Sequence, residues 1–199
     1  MTASDSPLSL LVYCGSKHGR SSSHDAAAAE LAQSMLDRKI RLVFGGGGVG
    51  LMGKLATAIL DGGGHVTGII PTFLHTEEVA LPNCTELIEV PSMHDRKLRM
   101  LEHAGAILAL PGGFGTMDEL FEAITWRQLG LHDKPIGILN VDGYYDALLR
   151  QLDVMFDQGY LTRETRSIIR DDVAVQPLLD WLEREASDAA PDPLLPRWT

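Results

Sequence analysis

The chain has little cysteine: two residues, Cys14 and Cys84, in 199. Two cysteines build neither a disulfide framework nor a metal knuckle, and they suit the reducing cytoplasm in which we expect the protein to work. Long apolar runs are also missing. None approaches the roughly 20 consecutive residues that a membrane-crossing helix needs. Residues 1–7 carry neither the basic stretch nor the following apolar core of a secretion signal. No membrane partner is expected. Aromatic residues are few, at 6%. Positive charge is short: 17 Lys and Arg against 27 Asp and Glu give a formal charge of -10. A surface that acidic repels phosphodiester backbones and argues against a nucleic-acid partner. It can still hold a small anion through backbone N–H groups, helix N-termini and a few placed cations.

Several catalytic classes are missing their parts. The seven histidines, His18, His24, His65, His75, His94, His103 and His132, form no H-E-x-x-H or similar ligand pair, so no metal is expected. Ser16 has no nucleophile-elbow context, and no Ser/His/Asp set can be assigned. A pyridoxal phosphate enzyme needs a Schiff-base lysine, and nothing singles out Lys17, Lys39, Lys54, Lys97 or Lys134.

What the chain does have is glycine, 20 residues concentrated at 45–53, 62–64 and 112–115. Between the clusters, apolar runs alternate with helical spacing. Strands are predicted at 8–14, 40–44, 65–70, 85–90, 106–110 and 135–140. Helices are predicted at 25–36, 49–60, 92–104 with Ser92 as N-cap, 116–130 and 144–156. No internal repeat or linker interrupts this pattern. Strands apolar throughout, alternating with helices, predict an α/β fold with a parallel sheet covered by helices on both faces. Residues 1–186 are read as one domain. Residues 187–199, with Pro191, Pro193 and Pro196, are read as a flexible tail. The glycine segments after the first, second and fifth strands should gather at one edge of the sheet, where such folds bind ligands.

Three segments carry chemistry. Pro111-Gly112-Gly113-Phe114-Gly115-Thr116 is a strand, a tight turn and a helix start. That geometry aims free N–H groups at an anion. It is not a Walker loop, and Gly45, Gly48 and Gly50 give no clean dinucleotide fingerprint. An ordinary strand-to-helix turn remains the plain alternative. Thr116, Glu119 and Glu122 share a helix face, which reads either as a carboxylate beside a bound sugar phosphate or as a solvated acidic face. On the helix predicted at 92–104, Arg96, Arg99, Met100 and His103 form one stripe, and Leu98, Leu101 and Ala104 form a second that should face the core. Arginine on the first stripe either clamps an anion or makes surface ion pairs.

Taken together, Gly45 to Gly53, Met93-His94-Asp95-Arg96-Lys97 and Pro111 to Glu119 resemble the LOG ("Lonely guy") family of cytokinin riboside 5'-monophosphate phosphoribohydrolases, often mislabelled as lysine decarboxylases. The likeness runs from about Leu10 to Tyr160 and takes in Gly15-Ser16, 126–130, Lys134-Pro135 and Gly143-Tyr144-Tyr145. It implies a single Rossmann-like domain, a homodimer, and no metal or organic cofactor. The implied reaction splits an N6-substituted adenosine 5'-monophosphate, AMP itself often included, into free base and ribose 5-phosphate. By motif position, Arg96 and Glu119 look like the catalytic pair, and Gly112, Gly113, Gly115 and Thr116 like the phosphate cradle. Lys97, Glu78 and Thr125, together with Gly15, Ser16, Gly46, Met93 and Asp118, look like further substrate contacts. Two departures stand out: His24 falls where the family carries an aromatic, and Asp118 where Glu is common. The readings set against this one are a non-catalytic nucleotide or cofactor carrier and a broad nucleotide nucleosidase. A carrier needs the glycine loops but not Arg96 and Glu119.

Overall fold

Each expected strand forms: five are short aliphatic runs buried inside a covered parallel sheet, and the one at residues 86–90 lies at the sheet edge with only Val90 buried. The structure, a computed structural model, describes residues 7–76 and 80–188. The expected site residue Glu78 and tail residues 189–199 lie outside the described residues. The strands are β1 (Ser9–Tyr13), β2 (Arg41–Phe44), β3 (Val66–Pro71), β4 (Glu86–Val90), β5 (Ala106–Ala109), β6 (Ile136–Leu139) and β7 (Ile169–Asp172). They form one sheet in the order β4-β3-β2-β1-β5-β6-β7, and every neighbouring pair is parallel.

Among the described residues seven α-helices accompany the sheet: α1 (Ser22–Asp37), α2 (Gly50–Asp61), α3 (Met93–Glu102), α4 (Phe114–Gln128), α5 (Asp146–Asp157), the single turn α6 (Arg163–Arg166) and α7 (Val175–Asp188). Alternation along β1 divides the core in two. Leu10 and Val12 pack with Leu31 and Met35 of α1, Leu51 and Leu55 of α2, and Leu178, Leu179 and Leu182 of α7. Leu11 and Tyr13 face the other way, onto Met100 and Leu101 of α3, Leu120 and Ala123 of α4, and Leu152 of α5. Ser92 caps α3 as expected, accepting a hydrogen bond from the Asp95 N–H at 3.1 Å.

Two expectations need correcting. The predicted elements stop at residue 156, whereas α6, β7 and α7 follow. In β7 only Ile169 is buried, so this edge strand shows no apolar run. In α7 the residues Val175, Leu178, Leu179 and Leu182 do recur at helical spacing and are buried. On α3, Met100 belongs to the core rather than to the arginine stripe, and Leu98 is only half-buried.

The chain runs outward from β1 to β4, then returns to place β5 on the other side of β1. Beyond the carboxyl ends of β1 and β5 the connections diverge to opposite faces and leave a crevice. The turns at Gly15, Gly45 and Gly112 lie at that edge, as expected. If α7 is an integral wall of the core, Leu178→Ala should lower the unfolding free energy by about 2–5 kcal/mol. Urea denaturation followed by circular dichroism measures this.

Candidate active site

Two clusters of expected site residues meet at this edge. The first is built on Arg96, whose side chain is buried although arginine rarely is. From α3 its Nε donates to the Ile69 carbonyl at 3.2 Å and its Nη2 to the Gly45 carbonyl at 3.0 Å. Both acceptors sit at strand ends, on β3 and just past β2. Its Nη1 lies 3.6 Å from Glu119 Oε1 and 3.9 Å from Met93 Sδ. Glycine at 45 makes room for this seat, since a Cβ there would lie 1.7 Å from Arg96 Nη2 and push the guanidinium off the Gly45 carbonyl. The first glycine of the polyglycine run is thus explained by one arginine seat.

Glu119 reaches this pair from the second turn of α4, with only 12% of its side chain exposed. Burial pushes its carboxyl up from 4.5 to about 7, and the Arg96 guanidinium only partly offsets that. Asp118 and Glu122 push the same way, while Lys97 opposes them. Lys97 holds Asp118 at 3.1 Å and Glu122 at 3.0 Å, tying α3 to α4 on either side of Glu119. Despite its own partial burial, those two acids keep the Lys97 ammonium above the ordinary lysine range. Tyr13 lies beneath the cluster, and burial, then Glu119, raise its phenol well above the usual value.

The second cluster is the turn between β5 and α4. Gly113 is the N-cap of α4 and offers no side-chain cap. Among the described residues the N–H groups of Phe114, Gly115 and Thr116 take no protein acceptor. A Cβ on Gly113 or Gly115 would meet nothing within 4 Å, so both face open space. Gly112 is different: a Cβ there would lie 2.0 Å from Thr116 Oγ1, so its absence lets the buried threonine close the turn. Gly15, Ser16, Gly112 and Gly113 line one cleft of about 430 Å³ with Lys17, Arg20, His24 and Tyr144 on its walls. The arrangement is a ready anion seat one helical turn before a desolvated carboxylate.

Not every expected contact converges. The Gly15 N–H is already donated to the Pro111 carbonyl at 3.0 Å. Gly46 is buried, and its carbonyl accepts from the Leu81 N–H at 2.9 Å. Thr125 lies nine residues beyond Thr116, roughly 13 Å along the helix. Its hydroxyl bonds back to the Phe121 carbonyl at 2.7 Å. It lines a shallow hollow with Met117, Phe121 and Trp126. Tyr144 and the Gly45 carbonyl are the participants that residue-level reading misses. Tyr144 lies in the Gly143-Tyr144-Tyr145 stretch, which carries resemblance but no chemical signature. A backbone carbonyl leaves no mark in a sequence. No group of three or more metal-ligating side chains occurs among the described residues.

The family described as "Possible lysine decarboxylase" matches residues 52–179. A protein of Arabidopsis thaliana named "Probable cytokinin riboside 5'-monophosphate phosphoribohydrolase" is 50% identical over 161 residues, covering 81% of this chain and 80% of that one. This chain belongs to the LOG family. A second Arabidopsis thaliana member, named cytokinin riboside 5'-monophosphate phosphoribohydrolase, is 47% identical over 174 residues, covering 87% of this chain and 82% of its own. Among solved structures, the LOG fold seen here is similar to the molybdenum cofactor binding protein of Rippkaea orientalis, with TM-score 0.69, 19% identity and coverage of 91% and 98%. The Moco carrier protein of Chlamydomonas reinhardtii superposes with TM-score 0.68 at 14% identity, covering 92% of this chain and 99% of that one. At those identities the likeness extends to the fold.

The raised carboxyl has a thermodynamic consequence. Folded Glu119 keeps its proton up to about pH 7, whereas the unfolded chain releases it near 4.5. Ionising it therefore costs stability as pH rises through that window, and the cost is complete above about 7. Glu119→Gln should be more stable than the parent at pH 8, with the advantage shrinking toward pH 5. Urea unfolding at the two pH values reads the difference.

Proposed function

We propose that this protein hydrolyses the N-glycosidic bond of N6-modified adenosine 5'-monophosphates, and of AMP, to free base and ribose 5-phosphate. One observation carries the reading: a desolvated carboxylate, Glu119, sits against the buried Arg96 guanidinium one turn beyond a helix N-terminus with unclaimed N–H groups. The 5'-phosphate binds at residues 112–116, with Ser16 beside it, and this lays the ribose over Glu119. As the bond to the base lengthens, the sugar takes on oxocarbenium character. The Glu119 carboxylate stabilises that charge and orients or deprotonates the attacking water. Arg96 holds Glu119 and the substrate in register, with Met93 against it, and Lys97 with Asp118 braces the helix pair. The relatives named above carry the same activity in their names, which supports the assignment.

A carrier of nucleotides would need the glycine turns but would give Arg96 and Glu119 no task. The working unit is taken as one domain, residues 1–186, acting in the cytoplasm, a compartment in keeping with two free thiols. No helix among the described residues is long and apolar enough to cross a membrane. A homodimer is part of the same reading. Along α4, Phe114 is 96% exposed and Phe121 37%, and Leu129 at the helix end is 67% exposed. This apolar stripe, spaced to lie on one helix face, fits a second copy of the chain.

Incubating the protein with AMP and with N6-isopentenyl-AMP should release base and ribose 5-phosphate, while the unphosphorylated nucleosides stay intact. Glu119→Gln and Arg96→Ala should each lower kcat by roughly 10²- to 10⁴-fold without unfolding the protein. Wild-type kcat/KM should climb through pH 7 as Glu119 ionises. Wild-type turnover in both variants contradicts the assignment. For the assembly, Phe114→Glu combined with Leu129→Glu should convert a dimer to a monomer in light scattering coupled to size exclusion.

A further inference from the structure

The loop between β6 and α5 delivers two adjacent tyrosines to the turn after β5. The Tyr145 hydroxyl donates to the Leu110 carbonyl at 2.6 Å, and the Tyr144 hydroxyl donates to the Gly112 carbonyl. The carbonyl between these two, Pro111, accepts from the Gly15 N–H at 3.0 Å. Three consecutive carbonyls of the turn are each held by a donor from another segment. In a trans peptide the C=O and the following N–H point in opposite directions. Fixing the Gly112 oxygen therefore fixes the direction of the Gly113 N–H, which takes no protein acceptor among the described residues.

Tyr144 is itself braced. Its ring meets His24 edge-on at 5.5 Å and Tyr145 at 5.0 Å. Two residues earlier, Asp142 accepts from the hydroxyls of Ser21 and Ser23 at the start of α1. Tyr145 is buried and serves the core, whereas Tyr144 is part-exposed and lines the cleft with Gly112 and Gly113.

We infer that Tyr144 is a positioning residue for the phosphate: its hydroxyl aims the Gly113 N–H and so sets how strongly the protein prefers a phosphorylated ligand over an unphosphorylated one. The inference rests on the phosphate site proposed above. It gives a reason for a tyrosine hydroxyl here, where packing alone needs only the ring.

Tyr144→Phe keeps the ring and its edge contacts and removes only the donor. Calorimetric titration of the intact protein with ribose 5-phosphate, and separately with inorganic phosphate, should show affinity falling roughly 3- to 10-fold, as for one lost hydrogen bond. Affinity for adenosine should not change. In steady-state assays KM for AMP should rise by the same factor, with kcat within about twofold of the parent. If the variant folds less completely, the ratio of ribose 5-phosphate to adenosine affinity still decides the matter, because general loss of structure lowers both together. An unchanged ratio overturns the inference, and so does a wild-type protein that binds neither phosphate ligand. If AMP is not hydrolysed but the ratio falls in the variant, the catalytic reading fails and the role of Tyr144 stands.

Discussion

A guanidinium withdrawn from water must find its partners inside the protein, and the seat of Arg96 organises much of what surrounds it. Removing a cation from solvent costs several kcal/mol unless its donors are satisfied. Here Nε and Nη2 take the Ile69 and Gly45 carbonyls, and Nη1 faces Glu119. These contacts join β3, the turn after β2, α3 and α4. They also explain two features that look independent in the sequence. Glycine at 45 leaves room for the guanidinium, and the acid at 119 stands where a charge of the opposite sign is needed. Because the pair is shielded, Glu119 is not simply ionised by its neighbour: burial outweighs the attraction of Arg96 and leaves its carboxyl near neutrality.

The fold puts this pair beside an anion seat because strand order does so. The reversal between β1 and β5 opens a crevice at the carboxyl edge of the sheet, and the first turn of α4 points its N–H groups there. A chain with formal charge -10 cannot attract a phosphate through its overall field. For the proposed phosphate, attraction would have to be local, from the unclaimed helix N–H groups and from Lys17 and Arg20 on the cleft walls. The turn's carbonyls, which would repel the same anion, are occupied by Tyr144, Tyr145 and Gly15.

The sheet was legible in the sequence because runs such as Ala106 to Leu110 are apolar on both faces and end in glycine or proline. The glycine turns were legible because only glycine tolerates the close approaches found at Gly45 and Gly112. Beyond residue 156 the signal weakens. The edge strand β7 buries Ile169 and leaves Arg170 and Asp171 in solvent, so it carries no strand-like run. The stripe of α7 was there to be found at Val175, Leu178, Leu179 and Leu182. Arg96 was identifiable as a chemical group, but not as a buried one: helical spacing grouped it with Arg99, which is exposed, and with Met100, which is core. Burial of a charge depends on carbonyls contributed by distant strands, and no local pattern records those.

The position of Glu119 on the pH scale bears directly on the proposed chemistry. A catalyst gains only from interactions that strengthen between the bound substrate and the transition state. A carboxyl at about 7 meets that requirement at neutral pH, because ionising it there costs almost nothing. In the proposed reaction, a phosphate dianion at the head of α4 would disfavour the carboxylate in the ground state, and a sugar turning cationic would favour it in the transition state. At an effective dielectric of about 20, opposite unit charges about 4 Å apart attract by about 4 kcal/mol. An ordinary surface glutamate, already ionised and hydrated, would spend part of that attraction shedding water. Glu119 is largely withdrawn from solvent on folding, so in the proposed reaction its attraction to a developing cation would go into lowering the barrier, with Arg96 keeping the carboxylate from being too costly to form.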